Sequence, residues 1–341
     1  MKFKLLYKSI SKGKKLFLLK NIFSGKKEFY FRLSSLLSSG FDIISAISNL
    51  EKNNPLHQKE IVSFIKREIS KGKNLSEAMK NFSLFSNFEI KSISAGIKSG
   101  NLPETLLSLS DYFSFLENIR RNIISGLTYP FILLNLAIII PAIPTLFLKG
   151  FFPFLGKIII PFIIIYGSIF VFGYLPDIYK KRNLREKLDE IIIKIPFLGK
   201  ILVNFQVVIF LKTFVILYKA GIDIISSFRD ATEVIGNETI KKQFDKNFAL
   251  LKENIPVSEA IKNNQFLPDE VKGMIETGEI SGNMDKTIEK VIQYTEEETK
   301  FIINQILKVI PVVIYLIVAA YVGYIIISFY SGYIKTINSF L

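Results

Sequence analysis

Leu36-Leu37-Ser38-Ser39-Gly40-Phe41-Asp42-Ile43-Ile44-Ser45 is answered later in the chain by Leu217-Tyr218-Lys219-Ala220-Gly221-Ile222-Asp223-Ile224-Ile225-Ser226. Two further blocks follow in the same order. Leu75-Ser76-Glu77-Ala78-Met79 pairs with Val257-Ser258-Glu259-Ala260-Ile261, and Gly96-Ile97-Lys98-Ser99-Gly100-Asn101-Leu102 pairs with Gly278-Glu279-Ile280-Ser281-Gly282-Asn283-Met284. Three blocks at an offset of 181 to 182 residues define an internal duplication, and a duplication constrains architecture more than any single motif does. Apolar residues within each copy recur with a period near 3.6, as in Ile61, Phe64, Ile65 and Ile69, or Ile288, Val291 and Ile292. Each copy therefore reads as a small antiparallel helical bundle.

Punctuation agrees. Gly40 and Gly221 stand where a helix must turn sharply, and Gly100 and Gly282 precede Asn101 and Asn283. The pairs Gly96/Gly100 and Gly278/Gly282 suit close helix packing or a left-handed helix C-cap rather than a ligand, since a glycine pair alone is no phosphate cradle. Asn101 with Glu104 three residues on resembles a capping box, with Pro103 in the first turn. No breaker interrupts residues 102–126 or 284–310, so each copy is expected to end in a helix that runs on as a stalk. At 1.5 Å per residue the second stalk would reach about 40 Å.

Beyond those stalks the composition changes. The 341 residues are 49% hydrophobic with a formal net charge of +14, a combination unusual for a soluble domain and ordinary for a membrane protein with basic flanks. Charged side chains are missing from Pro130 to Leu148, from Ile158 up to Asp177, and from Val309 to Ile334. A hydrocarbon core of about 30 Å needs about 20 helical residues, so all three stretches qualify as spans. Pro130, Pro141, Pro144, Pro161 and Pro311 punctuate them and predict kinks. Pro130 and Pro311 also continue the duplication.

Orientation follows from basic residues near span ends. Residues 1–126 hold 21 Lys/Arg against 10 Asp/Glu, with Arg120 and Arg121 beside the first span and Lys180, Lys181, Arg182 and Arg185 after the second. Both large polar segments are therefore assigned to the cytosol, with the N-terminus inside and the C-terminus outside. The expected division is a basic cytosolic arm (1–27), a first bundle with stalk (28–126), spans at 127–148 and 158–176 around a short external loop (149–157), a cytosolic linker (177–200), a second bundle with stalk (201–308), a third span (309–334) and an external end (335–341). A re-entrant hairpin over residues 130–175 would leave the two bundles on the same side. The arm carries nine lysines and no acid. Leu16-Phe17-Leu18-Leu19 is too short for a signal peptide, so the arm reads as retained and cytosolic, a solubilising tail or a contact for anionic lipid headgroups or an acidic partner surface.

The available chemistry is narrow. There is no cysteine and one histidine, His57, which reads as solvated. Ser24-Gly25-Lys26-Lys27 lacks the hydroxyl that a nucleotide-binding loop needs after lysine. No catalytic residue and no cofactor is assigned, and the basic surplus comes without a nucleic-acid recognition motif. Glu276, Glu279 and Asp285 are weak candidates for an oxygen-rich cation site, and Glu296-Glu297-Glu298 is a candidate dock for a basic partner. A transporter or channel subunit is the alternative function, but it predicts ionisable groups inside the spans, where no Asp, Glu, Lys, Arg or His lies among polar residues such as Asn135, Thr145, Ser168, Ser328 and tyrosines.

The Leu-Leu-x-x-Gly opening, the Gly-Glu-x-Ser-Gly block before a long helix, the aliphatic-Pro start of the spans, and Pro196-Phe197-Leu198-Gly199-Lys200 resemble the type II secretion system protein F family, which includes type IV pilus and competence platform proteins. The resemblance covers roughly residues 28–341. Ile97 departs from it where Glu279 conforms. It implies a mainly α, non-enzymatic integral membrane protein of the bacterial inner membrane, with two repeated cytosolic antiparallel helical-bundle domains and about three transmembrane helices. It further implies a cytosolic hexameric assembly ATPase, pilin or pseudopilin subunits, other inner-membrane assembly proteins and further copies of the chain as partners, with ATPase motion coupled to pilin extraction.

Overall fold

The computed structural model describes residues 15–52, 59–178, 182–196 and 198–338, and every element among them is helical. The predicted lysines before residue 15, His57, Lys180 and Lys181 lie outside the described residues.

The first copy comprises α1 (Lys15–Ser38), α2 (Ile43–Lys52), α3 (Lys59–Ser70), α4 (Leu75–Met79), α5 (Asn87–Lys98) and α6 (Leu102–Ile139). The second repeats that order as α10 (Leu198–Lys219), α11 (Ile224–Thr232), α12 (Glu238–Leu251), α13 (Val257–Ile261), α14 (Asp269–Ile280) and α15 (Met284–Asn338). Between them come α7 (Ile143–Lys149), α8 (Phe151–Ile178) and α9 (Arg182–Lys194). Six helices recur one for one, so the duplication is structural as well as sequential. Because α1 starts at Lys15, the latter half of the expected arm belongs to the first bundle, and Lys26 is buried in it.

The repeated glycines divide their labour. Gly40, Gly100, Gly221 and Gly282 have φ of 84, 73, 94 and 67°, the left-handed region that side chains with a Cβ avoid. Around each, the following amide donates back across the turn, as in Phe41 N to Leu36 O at 3.1 Å and Ile222 N to Leu217 O at 3.1 Å, which terminates the helix. Gly96 and Gly278 instead permit close approach. A Cβ at Gly96 would lie 2.4 Å from Thr105 Oγ1, and one at Gly278 would lie 2.7 Å from the Cβ of Thr287, its repeat counterpart. The Asn101 carbonyl accepts the first bond of α6, from Thr105 N at 3.1 Å. The capping boxes form earlier, at Asn74/Glu77 and Ser86/Glu89.

The chain divides into two compact units, and the division is not the one expected from the duplication. One unit takes the residues through Arg120 together with Leu198–Thr299, so both bundles share it; the other takes Arg121–Phe197 and Lys300–Leu341. The reason is α10. It is apolar on nearly all sides, and such a helix must be enclosed. Val207, Phe210, Leu211 and Phe214 fill its own bundle, while Ile209 and Ile216 join the core of the first. Each isoleucine removed from water contributes about 1.5–3 kcal/mol.

Three helical stretches are long and apolar enough to cross a membrane: Leu102–Phe147, Leu198–Lys219 and Lys286–Tyr324. The middle one is α10, with 61% of its apolar window buried against 11% and 0% for the others. Length and composition thus fit α10 for a bilayer, but packing commits it to the core. The outer two contain the expected first and third spans. The expected second span falls in α8, one helix of 28 residues, whose Phe151–Ile164 stretch is apolar.

In the second unit, the first span is interrupted at Pro141 by a 3₁₀ turn (Ile140–Ala142), as proline in a helix predicts. α7 ends at Gly150, φ 86°, and α8 starts at once, so the expected loop 149–157 is almost wholly helical. Tyr166 donates to Asn135 Oδ1 at 2.9 Å and its ring meets Phe131 edge-on, tying α8 to α6. Such polar pairing relieves the cost of amide and hydroxyl groups in hydrocarbon. α6 passes α15 where a Cβ on Gly126 would stand 2.6 Å from Leu307, its counterpart in the repeat.

Candidate functional site at the junction of the repeats

The junction within the first unit is built from the outer face of α5 and α6 and the outer face of α10 and α11. Lys91 on α5 donates to Asp230 Oδ1 on α11 at 2.8 Å, and Arg229 shares that carboxylate at 3.3 Å. Phe115 on α6 stacks on Phe205 at 6.1 Å. Lys212 lies 5.4 Å from the centre of the Phe115 ring and pairs with Glu296 at 2.6 Å, with both charged side chains mostly buried. A cleft of about 530 Å³ opens beside this seam, lined among others by Lys26, Glu89, Lys91, Tyr112, Asp230 and Glu233.

Below the cleft sits a polar cluster that sequence reasoning did not single out. Glu89, 1% exposed, accepts from Lys26 Nζ at 2.8 Å, from the Tyr30 hydroxyl at 2.5 Å, and from Ser86 N and Oγ at 2.8 Å each. Lys26 stands 4.7 Å from the centre of the Phe113 ring. Burial pulls the Lys26 ammonium below its ordinary value against the opposing pull of Glu89, and burial together with Glu89 holds the Tyr30 hydroxyl well above its own. Two sequence signals pointed here: Lys26 shares a helical stripe with Phe29, Tyr30 and Leu33, and Ser86-x-x-Glu89 is a capping-box spacing.

Glu279 has a structural occupation. Its oxygens accept from Val257 N at 2.7 Å, Ser258 N at 2.9 Å and Ser258 Oγ at 2.5 Å, capping α13 from the neighbouring helix. Pro256 precedes α13 and offers no side-chain cap. In the first copy Asn74 stands at the corresponding place and caps α4 itself, with Glu77 completing the box, so Ile97 can occupy the position of Glu279 and pack on the core. Glu276 is exposed, and the side chain of Asp285 lies outside those described. Among the described residues no group of three or more His, Asp and Glu is placed to hold a metal ion.

The acidic run is split by the fold. Glu296 and Glu298 reach back to Lys212 and Lys200, at 2.6 and 3.1 Å, while Glu297 faces solvent. Chemically the junction is a seam of mutually paired charges and stacked rings: it can hold two bundles in register and present a face, and no nucleophile with an orienting base is assembled in it.

Fold and junction together define a helical integral membrane protein built on a duplicated bundle. The family model for type II secretion system (T2SS), protein F, matches residues 29–148 and 210–332, one match per copy, and the chain belongs to that family. Relatives include the type IV pilus assembly protein PilC of Pseudomonas aeruginosa, 23% identical over 318 residues covering 86% of this chain and 84% of that protein. PilC of Thermus thermophilus is 22% identical over 291 residues (78% and 71%), and the type II secretion system protein F of Aeromonas hydrophila is 20% identical over 302 residues (80% and 76%).

Proposed function

We propose that this chain is the inner-membrane platform of a type IV pilus or type II secretion machine, receiving motion from a cytosolic assembly ATPase and passing it to pilin or pseudopilin subunits in the bilayer. The observation that carries the reading is that the last helix of each copy, α6 and α15, continues without a loop from a bundle into an apolar stretch at Pro130 and Pro311. A continuous helix transmits displacement, whereas a flexible linker absorbs it. The names of the relatives supply the machine, and basic flanks supply the orientation, with bundles inside and the C-terminus outside. α6 to α7, α8 and α15 are the three spans in this reading.

The docking face is narrowed to the open side of the second copy, where Glu270, Glu276 and Glu297 are exposed. Reversing Glu276 and Glu297 to lysine is expected to weaken co-purification of the cognate assembly ATPase at least tenfold, with the fold unchanged by circular dichroism. Undiminished co-purification would remove this face from the proposal.

A further inference from the structure

We propose that α9 (Arg182–Lys194) lies in the plane of the membrane surface, its isoleucine stripe in the headgroup–acyl boundary and its basic residues against anionic lipid headgroups. Ile191 and Ile192 are 55 and 39% exposed, and with Leu188 they fall at the i, i+3, i+4 spacing of one helical face; Ile195, one residue past the helix end, is 39% exposed as well. Leu184 continues that spacing in the sequence. Helical register puts Lys187 and Lys194 along one edge of this stripe and Arg185 and Asp189 along the other, with Glu186, Glu190 and Ile193 opposite it. Cations flanking an apolar stripe, with acids at the far side, suit a helix half sunk in a negatively charged interface. The exposed Lys194–Glu190 pair at 2.7 Å competes little with this.

The occupant follows from continuity. Only residues 179–181, which include Lys180 and Lys181, separate α9 from the end of α8, so a membrane boundary at Asp177 places α9 at lipid-headgroup depth from its first turn. The inference rests on α8 being a span, and the test separates the two.

The chain has no cysteine, so each introduced one is unique. The full chain carrying Ile191→Cys, Ile195→Cys, Glu190→Cys or Ile164→Cys, bimane-labelled, is reconstituted in vesicles of phosphatidylcholine with phosphatidylglycerol. Headgroup-region nitroxide lipids are expected to quench labels at 191 and 195 severalfold more than at 190, from a depth of about 5–10 Å, and quenching at 191 should fall in phosphatidylcholine alone. Equal quenching at 190 and 191, or a label at 191 reached only by aqueous iodide, would overturn the placement of α9. Absence of quenching at 164 by deep nitroxide lipids would overturn the span and leave the comparison of 190 with 191 to decide α9 by itself.

Discussion

The two copies fold alike and solve the same structural problems with different chemistry. In the first, Lys26, Tyr30 and Glu89 form a buried charged cluster; in the second, the corresponding positions are Val207, Leu211 and Val271, all buried and apolar. A charged group is accepted in a core only when fully paired, and an apolar trio of similar reach serves as well or better for stability. The faces differ just as consistently. The outer stripe of α10 carries Ile209 and Ile216 and is covered, whereas its counterparts on α1 are Glu28 and Ser35. Conversely, Phe88 and Phe115 are buried at the junction in the first copy, and their counterparts Glu270 and Glu297 are exposed in the second. The substitutions thus make the pairing of bundles one-sided: at these positions the equivalent faces carry acids and a serine in place of the covered apolar residues.

This comparison can be broken most easily at the charged cluster. Lys26→Met leaves Glu89 charged and buried, and thermal unfolding of the purified full chain followed by circular dichroism should register a loss of about 3–5 kcal/mol. Transplanting the second copy's solution, with Lys26→Val, Tyr30→Leu, Ser86→Pro and Glu89→Val together, should recover most of that loss. A transplant as unstable as the single variant would show that the copies are not interchangeable at this site.

The close approaches come next. Gly278→Ala forces a Cβ onto Thr287 and should cost about 1–3 kcal/mol, with Gly96→Ala losing a similar amount against Thr105. If alanine is tolerated at both, the packing role assigned to the first glycine of each block is wrong.

A smaller effect is expected at the cap of α13. Glu279→Ala should cost about 1 kcal/mol, and Pro256→Asn in that background, which recreates the Asn-x-x-Glu box of the first copy with Glu259, should restore much of it. Failure of the asparagine to rescue would separate the two caps.

The smallest effect is electrostatic and pH-dependent. Hydrogen bonds from Lys73 and Lys71 hold the Glu68 carboxyl down from 4.5 to about 2. Its folded value is below its unfolded one, so its stabilisation is complete above pH 4.5 and is lost as the pH falls toward 2. Glu68→Gln should lower the melting temperature at neutral pH and flatten the acid side of its pH profile; parallel profiles would mean the lysines contribute nothing there.

Much of this was legible in the chain. The repeat blocks located both bundles, because a turn at Gly40 or Gly221 needs a residue without a Cβ, and such a need is local. The stretches after Pro130 and Pro311 declared themselves by lacking charge. The cap by Glu279 was not legible as a cap: its partners at 257 and 258 are two helices away, and the exchange of Asn74 for Pro256 gains meaning only once α13 and α14 are side by side.

What the sequence alone determined about this protein is the duplication, the helical class and the apolar stretches, since period, glycine and charge act within a few residues of themselves. Tertiary structure alone decided that α10, as apolar as a membrane span, is instead the shared wall of two cores. It also decided that a lysine in a basic arm is a buried partner of Glu89 and that an acidic run divides into paired and open members. Those outcomes depend on which surfaces meet across some 60 to 180 residues of chain, where the free energy of burial and pairing, rather than local preference, selects the arrangement.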